Sequence, residues 1–419
     1  MLFVKECKKV LKSLVFWIYC LLAILMFLTN YFSDCLAEEF PPQPGLYAGE
    51  YGFKPSTDRD VIIESSINSL LNDYISNNYI CYPFGFYKAV HLKEKDKKKI
   101  ENYITEITNF DSKKIEEIQK NSKEYYVTEG FNEYKEYQVD QFAFNTNNVT
   151  YERFLEIMDD IDHILGGGSE YSAESVEFTF SMIPMTYEDS LNDYNDLFEK
   201  DKISKGYARL FSDYLGIVLS IVPVFVAVSM VTADKRNNMQ DLILSRKISN
   251  YKLIFTRFFA LVIMMFIPVI ISMIIAFIQL QILYHGQEIS LSGMFTLPSF
   301  WLIPNISMST AIGMLFSEIF SGGTAIIAQF MWWFISLIKG ASSLYGKIEK
   351  STFICRHNTI YERSIFMSEI NNFIFNRIFY IILSLIAILL TAYIYELKRG
   401  GKFNGIKLFG KGGILRHKT

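Results

Sequence analysis

Apolar residues in this chain gather into runs, most of them about 18–26 residues long and almost free of charge. Roughly 20 such residues cross the hydrocarbon core of a bilayer as a helix. The runs are Leu14–Phe32, Tyr214–Ala233, Phe258–Leu283, Phe300–Phe316, Ala325–Ile338 and Ile378–Tyr395. The fourth and fifth are short and carry Pro304, Asn305 and Gln329, so they read either as two spans or as a re-entrant hairpin. Pro223 falls inside the second run, which a membrane helix tolerates when its neighbours satisfy the freed backbone.

Between the first and second runs the pattern changes to one of soluble helices. Asp60–Ser76 places Ile62, Ile63, Ile67, Leu70, Leu71 and Ile75 at helical spacing, and Lys93–Asn109 is a second, charge-rich helix. Asn148–Leu165 carries a stripe of Phe154, Leu155, Met158, Ile161 and Leu165 and ends on Gly166, Gly167 and Gly168. Glu177–Ile183 alternates weakly, as a short strand would. Thr186–Glu199 opens like a capped helix, with Asp189 three residues after Thr186. The expected fold is therefore an all-α membrane protein of about six transmembrane helices, with a helix-rich (α or α+β) extracytoplasmic domain. Its segments are 1–32 (tail and first span), 33–213 (outer domain) and 214–257 (second span and inner connection). Then follow 258–338 (third to fifth spans), 339–377 (outer loop) and 378–419 (last span and basic tail).

Charge orients this arrangement. Residues 33–208 carry 34 Asp and Glu against 17 Lys and Arg, whereas the rest of the chain carries 10 against 24. Lys and Arg are retained on the cytoplasmic side of membranes. Lys5, Lys8, Lys9 and Lys12 before the first span, the six bases of Asp234–Arg257 and the seven of the tail all point inward. Both termini are thus expected in the cytoplasm. Six spans, or four and a re-entrant pair, meet this condition; five do not. The loop 339–377, with six bases and three acids, runs against the rule. The acidic outer domain would steer cationic peptides toward the membrane. No basic stripe on a folded domain suggests nucleic-acid binding.

Candidate chemistry is sparse. No P-loop, HExxH, GxSxG or dinucleotide fingerprint occurs, and His91, His163 and His285 lack ligand spacing. No metal or catalytic site is expected. Cys7, Cys20, Cys35, Cys81 and Cys355 form no CxxC, and a Cys81–Cys355 or Cys35–Cys81 disulfide would suit the outer side. Asn148-Val-Thr150 is a glycosylation sequon on the outer side, a three-residue pattern with meaning only in a host that glycosylates. Arg209 and Asp213, four residues apart at the edge of the second span, would pair or anchor there.

The segment Asp234–Phe258 is the most informative. Met239, Leu242, Ile243 and Leu244 form an apolar patch bounded by charge, followed by Ser249-Asn250 and a second patch from Ile248, Tyr251 and Leu253. This is the pattern of a short amphipathic helix at the membrane surface, a turn, and entry into the third span. The segment resembles the coupling region of type-2 (ABC-2-type) ABC exporter permeases. Asp234 matches the acidic start, Leu242–Ser245 the leucine-rich core and serine, Ser249–Tyr251 the turn, and Arg257 the basic residue. Asn238 and Lys247 stand where that family has Gly and Pro.

The resemblance implies a multi-pass plasma-membrane permease subunit of a bacterial, Gram-positive-like cell, and the Asn-, Ile-, Lys- and Tyr-rich composition suggests an A·T-rich genome. Such a subunit is not itself an enzyme. It pairs with a second copy or a homologue among membrane lipids, and is driven by a separate ATP-binding cassette subunit that holds the ATP. Asp234, Asp241, Arg246, Lys247 and Tyr251 would contact that subunit. The alternative is a membrane receptor or sensor with an outer ligand-binding domain.

Overall fold

A computed structural model describes residues 2–47, 49–129, 132–138, 144–173, 175–236, 249–341, 348, 350–400 and 402. Two compact units make up the chain: Gln43–Ser190, and a second formed by Met1–Pro42 with Leu191–Thr419. The protein is an all-α membrane protein whose few strands are short. The sequence-derived outer domain, 33–213, is broader than the unit 43–190. Residues such as Leu197, Ile203, Tyr207 and Phe211 join the core of the helical bundle instead.

In chain order the elements begin with α1 (Leu2–Leu11), a surface helix, and α2 (Leu14–Met26), which continues as a π-helical turn over Phe27–Phe32. There follow β1 (Phe53–Pro55), α3 (Arg59–Ser76), β2 (Tyr79–Cys81), β3 (Lys88–Val90), α4 (Glu94–Thr108) and α5 (Ser112–Asn121). Next are β4 (Lys123–Glu129), β5 (Asn132–Gln138), α6 (Tyr151–Leu165), α7 (Val176–Thr179), β6 (Met182–Pro184) and α8 (Tyr187–Glu199). The remaining helices are α9 (Ser204–Leu219), α10 (Pro223–Arg236), α11 (Asn250–Leu283), α12 (Leu291–Ile319), α13 (Gly322–Ala341), α14 (Arg363–Ser368) and α15 (Ile370–Arg399).

Five segments are long and apolar enough to cross a membrane: Leu14–Phe32, Ser204–Ala233, Asn250–Leu283, Leu291–Ile319 and Ile370–Arg399. A sixth helix, α13, is 20 residues long, about 30 Å at the helical rise. It begins beside Val228 and Thr232 of α10, where Gly322 lies, and ends with Gly340 against the Ile354 carbonyl. The helices extend beyond the apolar runs, in α15 as far as in α12. That helix touches α9, α10, α11, α13 and α15, and its most apolar stretch is 72% buried, against 28% in the first span. It also has the lowest mean hydropathy of the five, 1.3 against 3.0 for α11. A helix surrounded by protein needs small residues for close approach rather than bulk for lipid. Gly313 shows this, since a Cβ there would stand 2.8 Å from that of Ala227. Conversely, α11 turns exposed Ile263, Ile267, Ile271, Ile274, Ile278 and Ile282 away from the bundle.

The unit 43–190 has its own core, built from α3 (Ile63, Ile67, Leu70), α4 (Ile100, Ile104) and α6 (Phe154, Ile157, Ile161). Its helix ends are those the residues dictate. Asp58 caps α3 through the Asp60 amide, and Thr150 caps α6 through the Arg153 amide. Thr186 and Asp189 bond reciprocally at the start of α8. Asn148 of the sequon donates its side-chain nitrogen to the Ile107 carbonyl at 2.9 Å, so its amide is engaged in the fold. The expected strand over Glu177–Ile183 is instead the short helix α7 followed by β6, which pairs antiparallel with β1. All five cysteines are free thiols; burial raises Cys35 to about 12 and Cys81 to about 11.

The triple glycine does more than end α6. Gly166, Gly167 and Gly168 all have positive φ, and the Gly168 carbonyl accepts from the Tyr82 amide at 2.7 Å. A Cβ on Gly168 would stand 2.7 Å from the Tyr82 carbonyl carbon. Gly168→Ala should therefore destabilise this unit by about 2 kcal/mol or more, combining backbone strain with a main-chain clash. Gly167→Ala, with open space around it, should cost only the strain. Thermal unfolding of the two variants measures the difference, and equal losses would contradict the close-approach argument.

Candidate functional site

The expected contact residues are not brought together among the described residues. Asp241, Arg246 and Lys247 lie outside them, as do the amphipathic stretch 237–248 and most of the basic tail. Asp234 is in the last turn of α10, by backbone only. Tyr251 sits in the first turn of α11 with 40% of its surface exposed, directly after the Ser249 cap. What the structure does place at this end is a set of ion pairs. Glu6 of α1 lies 3.3 Å from Arg257 of α11, both buried. Lys398 of α15 lies 2.7 Å from Glu318 of α12, and Arg399 donates to Asn250 at 3.1 Å. Both terminal helices thus meet the start of α11 or the end of α12 at a single end of the bundle.

The opposite end is closed by a strap that the sequence presented as a polar outer loop. Thr352, Phe353, Ile354, Cys355, His357, Ile360 and Phe366 are all buried. Most of this stretch is not helical, so its carbonyls need partners, and helix side chains supply them. Asn376 donates to the Lys350 and Thr352 carbonyls, Tyr380 to Ser351 and Arg377 to Phe353. Arg209 donates to the Ile360 and Tyr361 carbonyls. Two glycines let the strap approach: a Cβ on Gly206 would meet the Ile360 carbonyl oxygen at 2.5 Å, and one on Gly340 that of Ile354 at 2.6 Å.

Ion pairs tie the strap down. Arg209 and Asp213, expected to pair or to anchor at the edge of the second span, each bind a partner on another segment. Asp201 lies 2.7 Å from Arg209 and 3.1 Å from Arg363. Asp213 receives two bonds from Arg356, at 2.8 and 3.1 Å, and one from the His357 amide at 2.7 Å. An i,i+4 pair on one helix would draw Asp213 away from Arg356, whereas the observed set gives both strap bases a carboxylate. The same end collects Glu39, Tyr284 and Tyr361: the Glu39 carboxylate accepts from Tyr361, and its amide donates to Tyr284.

Between the two ends the second span is broken. Leu219 ends α9, Pro223 opens α10, and the intervening turn frees backbone carbonyls deep in the bundle. Gln329 donates to the Ser220 carbonyl at 2.6 Å and Trp333 to that of Ile217 at 2.8 Å. Asn305 donates to the Ser220 hydroxyl and to the Gly216 carbonyl. Its oxygen accepts from Arg377 at 2.6 Å. Arg377 is fully buried, and its hydrogen-bond partners among the described residues are neutral: Asn305, Asn376, the Trp301 and Phe353 carbonyls and Cys355 Sγ. Sequence reasoning had placed Arg377 in the loop, because the last apolar run starts only at Ile378. The polar residues Asn305 and Gln329 were visible as oddities within apolar runs, and that oddity is the signal that locates the break.

The strap holds two groups displaced from their ordinary titration. Burial first, then the negative charge of Asp193, raise Glu362 to about 7, against the pull of Arg209. Burial, then Arg209, push His357 down to about 3, so its Nε2–H donates to the Tyr361 carbonyl. No metal-binding group of His, Cys, Asp or Glu occurs among the described residues. Comparison with known protein families, with characterised proteins and with solved structures finds no match to this chain.

Two outcomes follow for the detergent-solubilised protein. Asn305→Leu removes the acceptor of Arg377 and the donor to Ser220, and should cost about 2–4 kcal/mol of stability. Ser309→Ala, which loses only a 3.5 Å contact, should cost little. Glu362 is raised above its ordinary 4.5, so its contribution is fully present below that value and is lost as pH rises toward 7. Glu362→Gln should therefore gain on the parent between pH 4.5 and 7 and hold a constant advantage above. Melting temperatures at pH 5 and pH 8 test this; an advantage independent of pH would refute it.

Proposed function

We propose that the protein is the membrane-spanning subunit of an ATP-driven transporter, an exporter of the type-2 ABC class, powered by a separate ATP-binding subunit. In this reading it works as a homodimer or heterodimer in the plasma membrane, with both termini in the cytoplasm and the unit 43–190 outside. It performs no chemistry of its own.

One observation carries the reading. The segment that resembles a coupling region, 234–257, joins two long helices at the end of the bundle where α1 and the end of α15 also lie. A partner pressing on that end meets the connection, an amphipathic surface helix and the foot of the third span together. Arg257, the basic residue of the resemblance, is locked to Glu6 of α1, so a displacement of the segment is passed directly to the N-terminal helix. The break at Ser220–Val222 supplies a place for the second span to bend. Coupling of this kind is rigid-body gating biased by a ligand bound elsewhere.

The second reading, a membrane receptor or sensor, draws its support from the cavity in the unit 43–190 described below. Co-purification from native membranes in mild detergent separates the two. The transporter reading expects a stoichiometric P-loop ATPase that is lost when residues 234–251 are scrambled. Recovery of a kinase in its place, or of no ATPase, would favour the sensor.

A further inference from the structure

Within the unit 43–190 lies a cavity of about 400 Å3 lined by Asp73, Ile80, Tyr82, Ser169, Glu170 and Phe178, among others. The lining is divided by chemistry. Asp73 and Glu170 supply two carboxylates, held in place by Tyr171, whose hydroxyl donates to Asp73 at 2.7 Å, and by Ser69, which donates to Glu170 Oε1 at 2.8 Å. Ile80, Tyr82 and Phe178 supply an apolar part of the lining. The Gly168 turn brings the two parts together, since it bonds to Tyr82 and leads into Ser169 and Glu170.

The apolar part continues outward. The loop after β2 exposes Tyr82 (53%), Phe86 (68%) and Tyr87 (48%), with the Tyr82 and Tyr87 rings edge to face at 6.0 Å. Three large aromatics exposed together beside a cavity are costly in water unless something covers them. The unit around them carries 27 Asp and Glu against 14 Lys and Arg. A ligand that suits both halves must be cationic at one point and apolar beside it.

We propose that this cavity binds the basic side chain of an extended peptide, with the carboxylates of Asp73 and Glu170 receiving the ammonium or guanidinium and the aromatic loop covering an adjacent apolar residue. Ammonium and guanidinium groups gain from carboxylates and from aromatic faces alike, and the volume suits one long side chain rather than a folded partner. The proposal goes beyond the transporter reading and does not depend on it, because a transported or a sensed peptide would bind equally well.

The test uses the full chain in nanodiscs of zwitterionic lipid and a fluorescein-labelled decapeptide of alternating lysine and leucine, followed by anisotropy. Saturable binding is expected, weakened about tenfold by Glu170→Gln and by Phe86→Ala and abolished by acetylating the lysines. Both substitutions lie at half-buried or exposed positions, and unchanged melting temperatures verify that the variants fold. Equal affinity of parent and both variants, or no saturable binding by the lysine peptide, would overturn the proposal. Because the ATPase co-purification is read separately, either result leaves the transporter reading where that experiment puts it.

Discussion

A carbonyl or amide buried away from water must find a partner inside the protein, and this constraint shapes the membrane unit more than any single apolar contact. Helices meet it for themselves. The strap over residues 350–361 and the turn at Ser220–Val222 do not, and between them they recruit many of the polar side chains of the surrounding helices. Arg377 and Asn305 stand where the two demands meet. Arg377 reaches the strap through the Phe353 carbonyl and the break through Asn305, which in turn serves Gly216 and Ser220. Removing either residue would orphan groups at both places, so the irregular segments are secured as one network rather than as separate loops. Such networks rigidify when fully satisfied. Gln329 Oε1 and Trp301 Nε1, at its margin, and Arg209 Nε, beside the strap, are among the buried atoms that have no hydrogen-bond partner within the described residues.

The ion pairs are distributed with the same economy. Asp201 and Asp213 lie beside the strap and neutralise Arg363 and Arg356, while Glu6 and Glu318 lie at the far end and neutralise Arg257 and Lys398. A charge taken from water without a partner costs several kcal/mol, so each pair fixes the register of the two elements it joins. This also accounts for the surplus of bases in residues 339–377. Arg356 and Arg363 are matched by carboxylates on another segment, and Arg377 is held by carbonyls and amides. Lys and Arg orient a loop when they are free to remain in cytoplasmic water. Bases consumed by internal pairs do not vote in that count, and the conflict with the other loops weakens accordingly.

What was legible in the sequence follows from these forces. Local signals were plain: Thr186 with Asp189, the stripe of α6 and its glycine stop, and the apolar runs of α2 and α11 all produce the elements that their spacing implies. Long-range signals were not. The boundaries of α12 and α15 were set too short because hydropathy measures contact with lipid, and both helices continue where they contact protein instead. The strap was hidden for the same reason. Its composition is that of a solvated loop, and it is buried through contacts distant in sequence, such as the pairing of Asp213 with Arg356 and the bond from Arg209 to the Ile360 carbonyl. Whether Arg209 and Asp213 pair or anchor stays open in the sequence, because the partner of Asp213, Arg356, lies far away along the chain.

The two ends of the bundle differ in how firmly they are held, and this bears on the transporter reading. At the strap end, α9, α12, α13 and α15 are tied through one irregular segment by carbonyl contacts, ion pairs and two glycine approaches. At the other end, side-chain pairs join α1 to α11, α12 to α15 and α15 to α11, while α10 is set apart from α9 by the turn before Pro223. A force applied through 234–257 would therefore meet a stiff lever, since Arg257 is fixed to Glu6, and a more compliant neighbour, since α10 follows α9 through an irregular turn with bonds such as Val222 to Val218 and Phe225 to Val222. Bending at Ser220–Val222 would exchange the bonds from Asn305, Gln329 and Trp333 for others without unravelling a helix. A packed core resists continuous deformation and yields between discrete arrangements. A turn whose Ser220 carbonyl is served by a side chain, Gln329, rather than by its own backbone is where such a second arrangement costs least.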